Sequence, residues 1–166
     1  MKIIDKRLPR EGGSYLLILR VTARQEIQVG ALGRITFARG WYAYAGSAFG
    51  PGGLAARLGR HLRGGLRCHW HIDYLRAAAR VAEAWTAIGP PCREHDWVQA
   101  LSKGKEAGTA VRGFGCSDCR CRSHLIYFDH RPNAAWLGRR LGMDTVRLQL
   151  QSTKAGSCPQ SDMGFQ

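Results

Sequence analysis

Between Gly40 and Gly46 the chain reads Trp41-Tyr42-Ala43-Tyr44-Ala45, with a large aromatic against a small aliphatic at every second position. A period of two puts both phenols on one side of a strand and both alanines on the other, a division that fits no helix face. A second apolar run, Tyr15-Leu16-Leu17-Ile18-Leu19-Arg20-Val21, follows two glycines. Its length and glycine boundary read as a buried strand. Between the two, Ile27 to Val29 and Arg34 to Phe37 flank Gly30-Ala31-Leu32-Gly33, which reads as a hairpin or a bulged connection. The expectation is an antiparallel three-stranded unit.

A glycine-rich turn, Ser47 to Gly53, leads into Leu54-Ala55-Ala56-Arg57-Leu58-Gly59-Arg60-His61-Leu62-Arg63. Leucines at 54, 58 and 62 recur every four residues, so the segment reads as an amphipathic helix with its aliphatic stripe on the sheet. At about 100° per residue, Arg57 and His61 fall beside that stripe, whereas Arg60 and Arg63 point further into solvent. Arg57 and His61 are then the pair able to reach a cleft between helix and sheet.

Gly13-Ser14-Tyr15, then Tyr44-Ala45-Gly46-Ser47-Ala48, then Arg57-x-x-Arg60-His61 together resemble the GIY-YIG endonucleases. Further blocks, Val29 to Gly33, His69 to Leu75 and Gly113 to Leu125, are similar to a stand-alone prokaryotic branch sometimes called Uri-type. The resemblance runs from about Gly12 to Phe128. It implies an α+β fold with a small central antiparallel sheet flanked by helices, and a metal-dependent nuclease acting on DNA. On the matching positions it implies that Tyr15 helps activate the attacking water and that Tyr44 shapes the same pocket. Arg57 would steady charge on the scissile phosphate, and His61 would assist proton transfer ahead of His69 or His71. A single Mg²⁺ or Mn²⁺ would sit on a carboxylate of the helix around Arg93 to Ser102, where Glu94 is preferred to Asp96. Arg60, Arg63 and Ser47 are the expected nucleic-acid contacts. The alternative is a non-catalytic nucleic-acid-binding module on the same scaffold.

Elementary chemistry gives the same residue types a use. A phosphodiester needs a positioned nucleophile, a base near it, and cations to offset charge growing on the phosphoryl oxygens. A tyrosine titrates near pH 10, so it takes a proton at neutral pH only with help from a cation or by working through water. Taken singly, Tyr15, Tyr42 and Tyr44 would be packing aromatics and Arg57 and Arg60 a solvated helix face. Their joint spacing is what argues otherwise.

Of 25 basic residues 20 are arginine, against 12 acidic residues, and the formal net charge is +13 over 166 residues. That balance favours polyanions, and arginine suits bidentate phosphate contact. No apolar stretch approaches the roughly 18 residues of a membrane span, and the first residues lack a signal-type apolar region. A soluble cytoplasmic protein with reduced thiols is the corresponding expectation.

Cys116, Cys119, Cys121 and His124 are dense enough to hold a metal. Their spacing is not that of a zinc finger, and Cys119 and Cys121 on an extended strand would face opposite ways. The expectation is instead a loop, including Asp118 and Ser123, that packs over the cleft and leads into a last strand, Leu125 to Phe128. Val81 to Ile88 reads as a strand and Lys103 to Arg112 as a loop. Residues 1–11 read as an extension, 12–129 as the domain and 130–150 as an appendage, in which Asn133 caps a helix through Leu141 and Val146 to Leu150 extends a sheet. From Gln151 the composition points to disorder.

Overall fold

The computed structural model describes residues 8–64, 67–103, 106–117, 119–142 and 144–150. The expected tail from Gln151, most of the N-terminal extension and Asp118 lie outside the described residues.

The fold is α+β, and the described residues form one six-stranded antiparallel sheet flanked by four helices. The strands are β1 (Gly13–Val21), β4 (Gly40–Ser47), β5 (Arg80–Ile88), β6 (Thr109–Ala110), β7 (Leu125–Phe128) and β8 (Val146–Gln149), in the order β6-β7-β4-β1-β5-β8. The helices are α1 (Gly53–Arg63), α2 (His71–Arg76), α3 (Glu94–Leu101) and α4 (Ala134–Leu141). Among the described residues, β2 (Gln25–Gln28) and β3 (Arg34–Phe37) pair only with each other, across a short 3-10 turn at Gly30–Leu32. The expected three-stranded unit is thus corrected: the hairpin is a separate ribbon, and β1 pairs directly with β4 and β5. The ribbon's half-exposed pattern gives it one apolar edge, Ile27 and Ile35, to lay on the core.

Alternation along β1 builds two cores from one strand. Tyr15, Leu17, Leu19 and Val21 face one layer with Tyr42, Tyr44 and the α1 leucines 54, 58 and 62. Leu16 and Ile18 face the other with Ala43, Ala45, Trp85 and the apolar sides of α3 and α4. The leucine stripe of α1 is buried as its periodicity required. No α1 side chain caps the helix; instead Leu54 N–H donates to the Glu11 carbonyl at 3.0 Å and Ala55 N–H to that of Pro9 at 2.8 Å. Gly53, with φ +53°, sits so close to this segment that a Cβ would meet the Glu11 carbonyl oxygen at 2.2 Å.

The segment after His130 packs against the sheet. Trp136, Leu137 and Leu141 of α4 complete the second core, and Leu141 O accepts from Trp97 Nε1 at 3.0 Å. Asn133 caps α4 as expected, its Oδ1 accepting from Ala135 N at 2.8 Å and Trp136 N at 3.2 Å. β7 keeps its expected bounds, and β8 pairs with β5. The loop expected over 103–112 contains β6, two residues that pair with β7.

Candidate active site

Tyr15 and Tyr44 stand on adjacent strands, on the same face, with ring centroids 6.4 Å apart. Gly46 makes room for them. It lies directly across from Tyr15 in the β1/β4 register, and a Cβ there would fall 2.5 Å from the phenol oxygen. The glycine that ends the second motif is therefore a steric requirement of the tyrosine in the first.

His61, from the last turns of α1, places Nε2 3.0 Å from Tyr15 Oη. Its Nδ1 lies 3.3 Å from Asp73 Oδ1. Asp73 is fixed by the start of its own helix: Oδ2 accepts from the backbone N–H of His69 at 2.9 Å and of Trp70 at 3.0 Å, capping α2. Arg60 Nη2 adds a third donor at 3.1 Å. The result is a line of close approaches, Tyr15···His61···Asp73, in which His61 Nδ1 nears Asp73 without forming a hydrogen bond of good geometry; side-chain exposures are 0 % for His61 and 11 % for Asp73, and Tyr15 is fully buried.

Burial sets the protonation states. Desolvation lifts the Tyr15 phenol above its ordinary value of 10, and the nearby Arg57 charge only partly draws it back. Tyr44 is raised in the same way, by burial first and then by Tyr15. Burial holds His61 below its ordinary 6.5 although Asp73 pulls upward, so the imidazole is neutral at pH 7. For Asp73 burial works against the charge, but the nearby His61 and the backbone hydrogen bonds from Trp70 and His69 prevail and keep it an anion.

Two further groups reach the phenols. The Arg57 guanidinium lies over the Trp70 ring, 4.5 Å from its centroid, and its Nε is buried without a hydrogen-bond partner among the described residues. Glu94, at the start of α3, comes over the end of the sheet, where Arg93 N–H donates to Ser14 Oγ at 2.8 Å. Its charge raises both Tyr15 and Tyr44. Asp96, on the same turn, is exposed. Beside Arg57 a cleft of about 300 Å³ opens, lined among others by Ala48, Pro51, Arg60 and Trp70.

The structure thus brings Tyr15, Tyr44 and His61 into direct contact and sets the charges of Arg57 and Glu94 near enough to act on both phenols, while the cleft beside Arg57 is lined by neither tyrosine, His61 nor Glu94. It does not leave Arg60 pointing into solvent: that side chain is tied to Asp73 and to the Arg67 carbonyl and stacks on Trp70. Arg63 is exposed at the end of α1, and Ser47 is half-buried at the end of β4, opposite Ser14. His69 is exposed against Trp70, and His71 accepts from Gly115 N–H at 2.9 Å through Nδ1, so neither joins the chain to Tyr15. Sequence reasoning carried Asp73 only within the block from His69 to Leu75 and gave it no role. The signal was its place three residues after Trp70, where a carboxylate caps a helix start. Cys68 is disulfide-bonded, which overturns the expectation of reduced thiols at that position.

Sheet, register and tyrosine pocket define a GIY-YIG-like domain. The chain belongs to the family described as Domain of unknown function DUF123, which matches residues 14–141 and so spans β1 to the end of α4. Comparison with curated proteins and with solved structures finds no match. None of the described helices is long and apolar enough to cross a membrane.

Proposed function

We propose that this chain is a metal-dependent endonuclease that hydrolyses phosphodiester bonds in DNA by a GIY-YIG-type mechanism. The observation that carries the proposal is the Tyr15···His61···Asp73 chain, ending at a phenol flanked by Arg57 and Glu94. A phenol raised by burial cannot ionise at neutral pH on its own. It can act as a relay: as water attacks phosphorus, Tyr15 Oη accepts the water's proton while its own passes to His61 Nε2. Asp73 then faces an imidazolium, which its charge stabilises, as in a Ser-His-Asp triad. Asp73 also selects the tautomer, with the proton on Nδ1 and Nε2 free to accept. Arg57 supplies fixed positive charge toward the phosphoryl oxygens, and the exposed Arg63 and half-buried Ser47 offer contacts to the strand.

Glu94 fits a hard cation. It is one partly buried carboxylate beside the pocket, and Mg²⁺ is characteristically held by one or two carboxylates with phosphate and water completing its shell. Bound there, Mg²⁺ or Mn²⁺ would supply charge stabilisation and a more acidic water. Placement in the Uri-type branch rests on the sequence blocks from Val29 to Gly33, His69 to Leu75 and Gly113 to Leu125. A cytoplasmic setting belongs to this reading, and the Cys68 disulfide is the observation that pulls against it.

The non-catalytic alternative has one observation in its favour. Tyr15, His61 and Tyr44 are all buried, as a purely structural polar network would be. Titrating Mg²⁺ or Mn²⁺ into mixed DNA substrates separates the two readings. The enzyme cleaves in a cation-dependent way, and Glu94→Gln stops cleavage while preserving DNA binding in EDTA. Salt-sensitive binding with no cleavage at any cation concentration would instead establish the binding module.

A further inference from the structure

A second convergence lies on the far side of α3's first turn. His95, on α3, and Cys119, Cys121 and His124, in the segment before β7, each offer one donor atom, and the four atoms lie within 4.8 Å of one another. Cys119 Sγ is 3.3 Å from His124 Nε2, and the His95 and His124 rings are 5.2 Å apart between centroids. Around a tetrahedral ion with M–S of about 2.3 Å and M–N of about 2.0–2.1 Å, donor atoms stand roughly 3.3–3.8 Å apart. The Cys119–His124 pair already has that spacing, and the whole set needs to contract by no more than roughly 1.5 Å.

The donor types choose the ion. Two sulfurs and two imidazole nitrogens suit zinc, whereas Mg²⁺ and Ca²⁺ take oxygen donors. We propose that His95, Cys119, Cys121 and His124 hold one structural zinc ion. With four protein donors the site has no open position, which separates it in kind from the Glu94 pocket. The spacing objection raised by the sequence falls away because Cys119 and Cys121 lie in irregular backbone, where alternate residues need not face opposite ways. The fourth donor could not be read from the cysteine segment at all, since His95 arrives from a helix more than twenty residues earlier.

The backbone around the site is already braced to present these side chains. His124 N–H donates to the Phe114 carbonyl at 2.7 Å, and its own carbonyl accepts from Ala45 N at 3.0 Å, next to Tyr44 on β4. Glu94 Oε1 lies 3.5 Å from His95 Nε2, so a carboxylate stands beside a ligating imidazole. Zinc would therefore fasten the start of α3, with Glu94, to the segment that abuts Tyr44. Cys116 is a third thiol nearby, but its Sγ is directed to the Phe114 carbonyl at 3.4 Å, which makes it the natural control.

The test is metal content, measured apart from any DNA cleavage. The full chain, without a histidine tag, is purified from zinc-supplemented cells, and zinc is quantified by mass spectrometry and by release to a chromogenic chelator. About one equivalent per chain is expected. Apo protein titrated with Co²⁺ should show thiolate charge-transfer and intense d–d absorption of a tetrahedral site. His95→Ala removes an exposed ligand without touching either core, and chelator competition should show zinc affinity lower by roughly 100-fold or more. Cys119→Ser and Cys121→Ser should do the same, while Cys116→Ser and Cys92→Ser retain the metal. A chain that takes up neither Zn²⁺ nor Co²⁺ would overturn the proposal. Undiminished affinity in His95→Ala, with loss in Cys116→Ser, would overturn the ligand set.

Discussion

Asp73 and Glu83 are carboxylates on opposite faces of one sheet, both largely shielded from water and both ringed by donors, yet their partners differ in kind. Glu83 Oε2 accepts from Arg147 at 2.6 and 3.0 Å and from Arg131 at 3.2 Å, and Oε1 accepts from Trp85 Nε1 at 3.3 Å. The arginine partners are permanently charged, so no proton can move there. Asp73 has one partner, His61, whose charge can change, and His61 in turn touches a phenol. The first carboxylate ties β5, β8 and the approach to α4 together; the second can respond to a reaction. Burial and charge alone do not distinguish a structural acid from a working one. The titratability of what surrounds it does.

The largest expected effect falls on the structural side. Glu83→Gln takes the anion from a buried position whose partners Arg131 and Arg147 are partly exposed, and losing hydrogen bonds to a charged group costs about 1.5–3 kcal/mol. Chemical denaturation should show a lower midpoint, while cleavage per folded molecule is unchanged. Lost cleavage at unchanged stability would reverse the assignment of the two acids.

Next comes the relay. Asp73→Asn removes the anion that stabilises the imidazolium and lets the amide favour the wrong tautomer, so the single-turnover rate should fall by about 100-fold or more. Tyr15→Phe should fall similarly, and the double variant should be little worse than either, because the residues act as a unit. Independent, multiplying losses would dissolve the relay. The pH profile carries a sign. His61 must be neutral to accept, and its pKa lies below 6.5, so activity should persist below pH 6.5 and fail only as pH drops through the lower value. Asp73 pulls that value up, and so Asp73→Asn should move the acid limb to still lower pH. The same depressed pKa makes stability decline as pH falls below 6.5, because the unfolded chain then binds a proton that the fold refuses.

Local patterns in the sequence predicted local structure well. Leu54, Leu58 and Leu62, the Asn133 cap and the bounds of β7 were legible because each depends on neighbours within a few residues. The pairing of Tyr15 with Tyr44 was legible through the motif, and the structure adds why Gly46 belongs to it. What could not be read were contacts between segments distant in sequence. Asp73 becomes a partner of His61 only when α2 folds against α1, and Arg60 leaves solvent for the same reason. His95 meets Cys119 only across the end of the sheet. β6 is too short to leave a periodic signal and exists because β7 offers it an edge.

The smallest effect is expected at the third tyrosine of the same sheet face, where the contrast between the acids recurs among phenols. Tyr42 lies on the same strand and face as Tyr44, and burial raises its phenol too, but its hydroxyl donates to the Ala38 carbonyl at 2.9 Å and meets no imidazole. A backbone carbonyl cannot take the proton and pass it on, so nothing couples this phenol to a reaction. Tyr42→Phe should lose about 1 kcal/mol for the hydrogen bond and leave cleavage at its parent rate. If Tyr42→Phe slows cleavage as much as Tyr15→Phe does, the common cause is the shape of the tyrosine-lined core, and the His61 contact loses its claim to the chemistry.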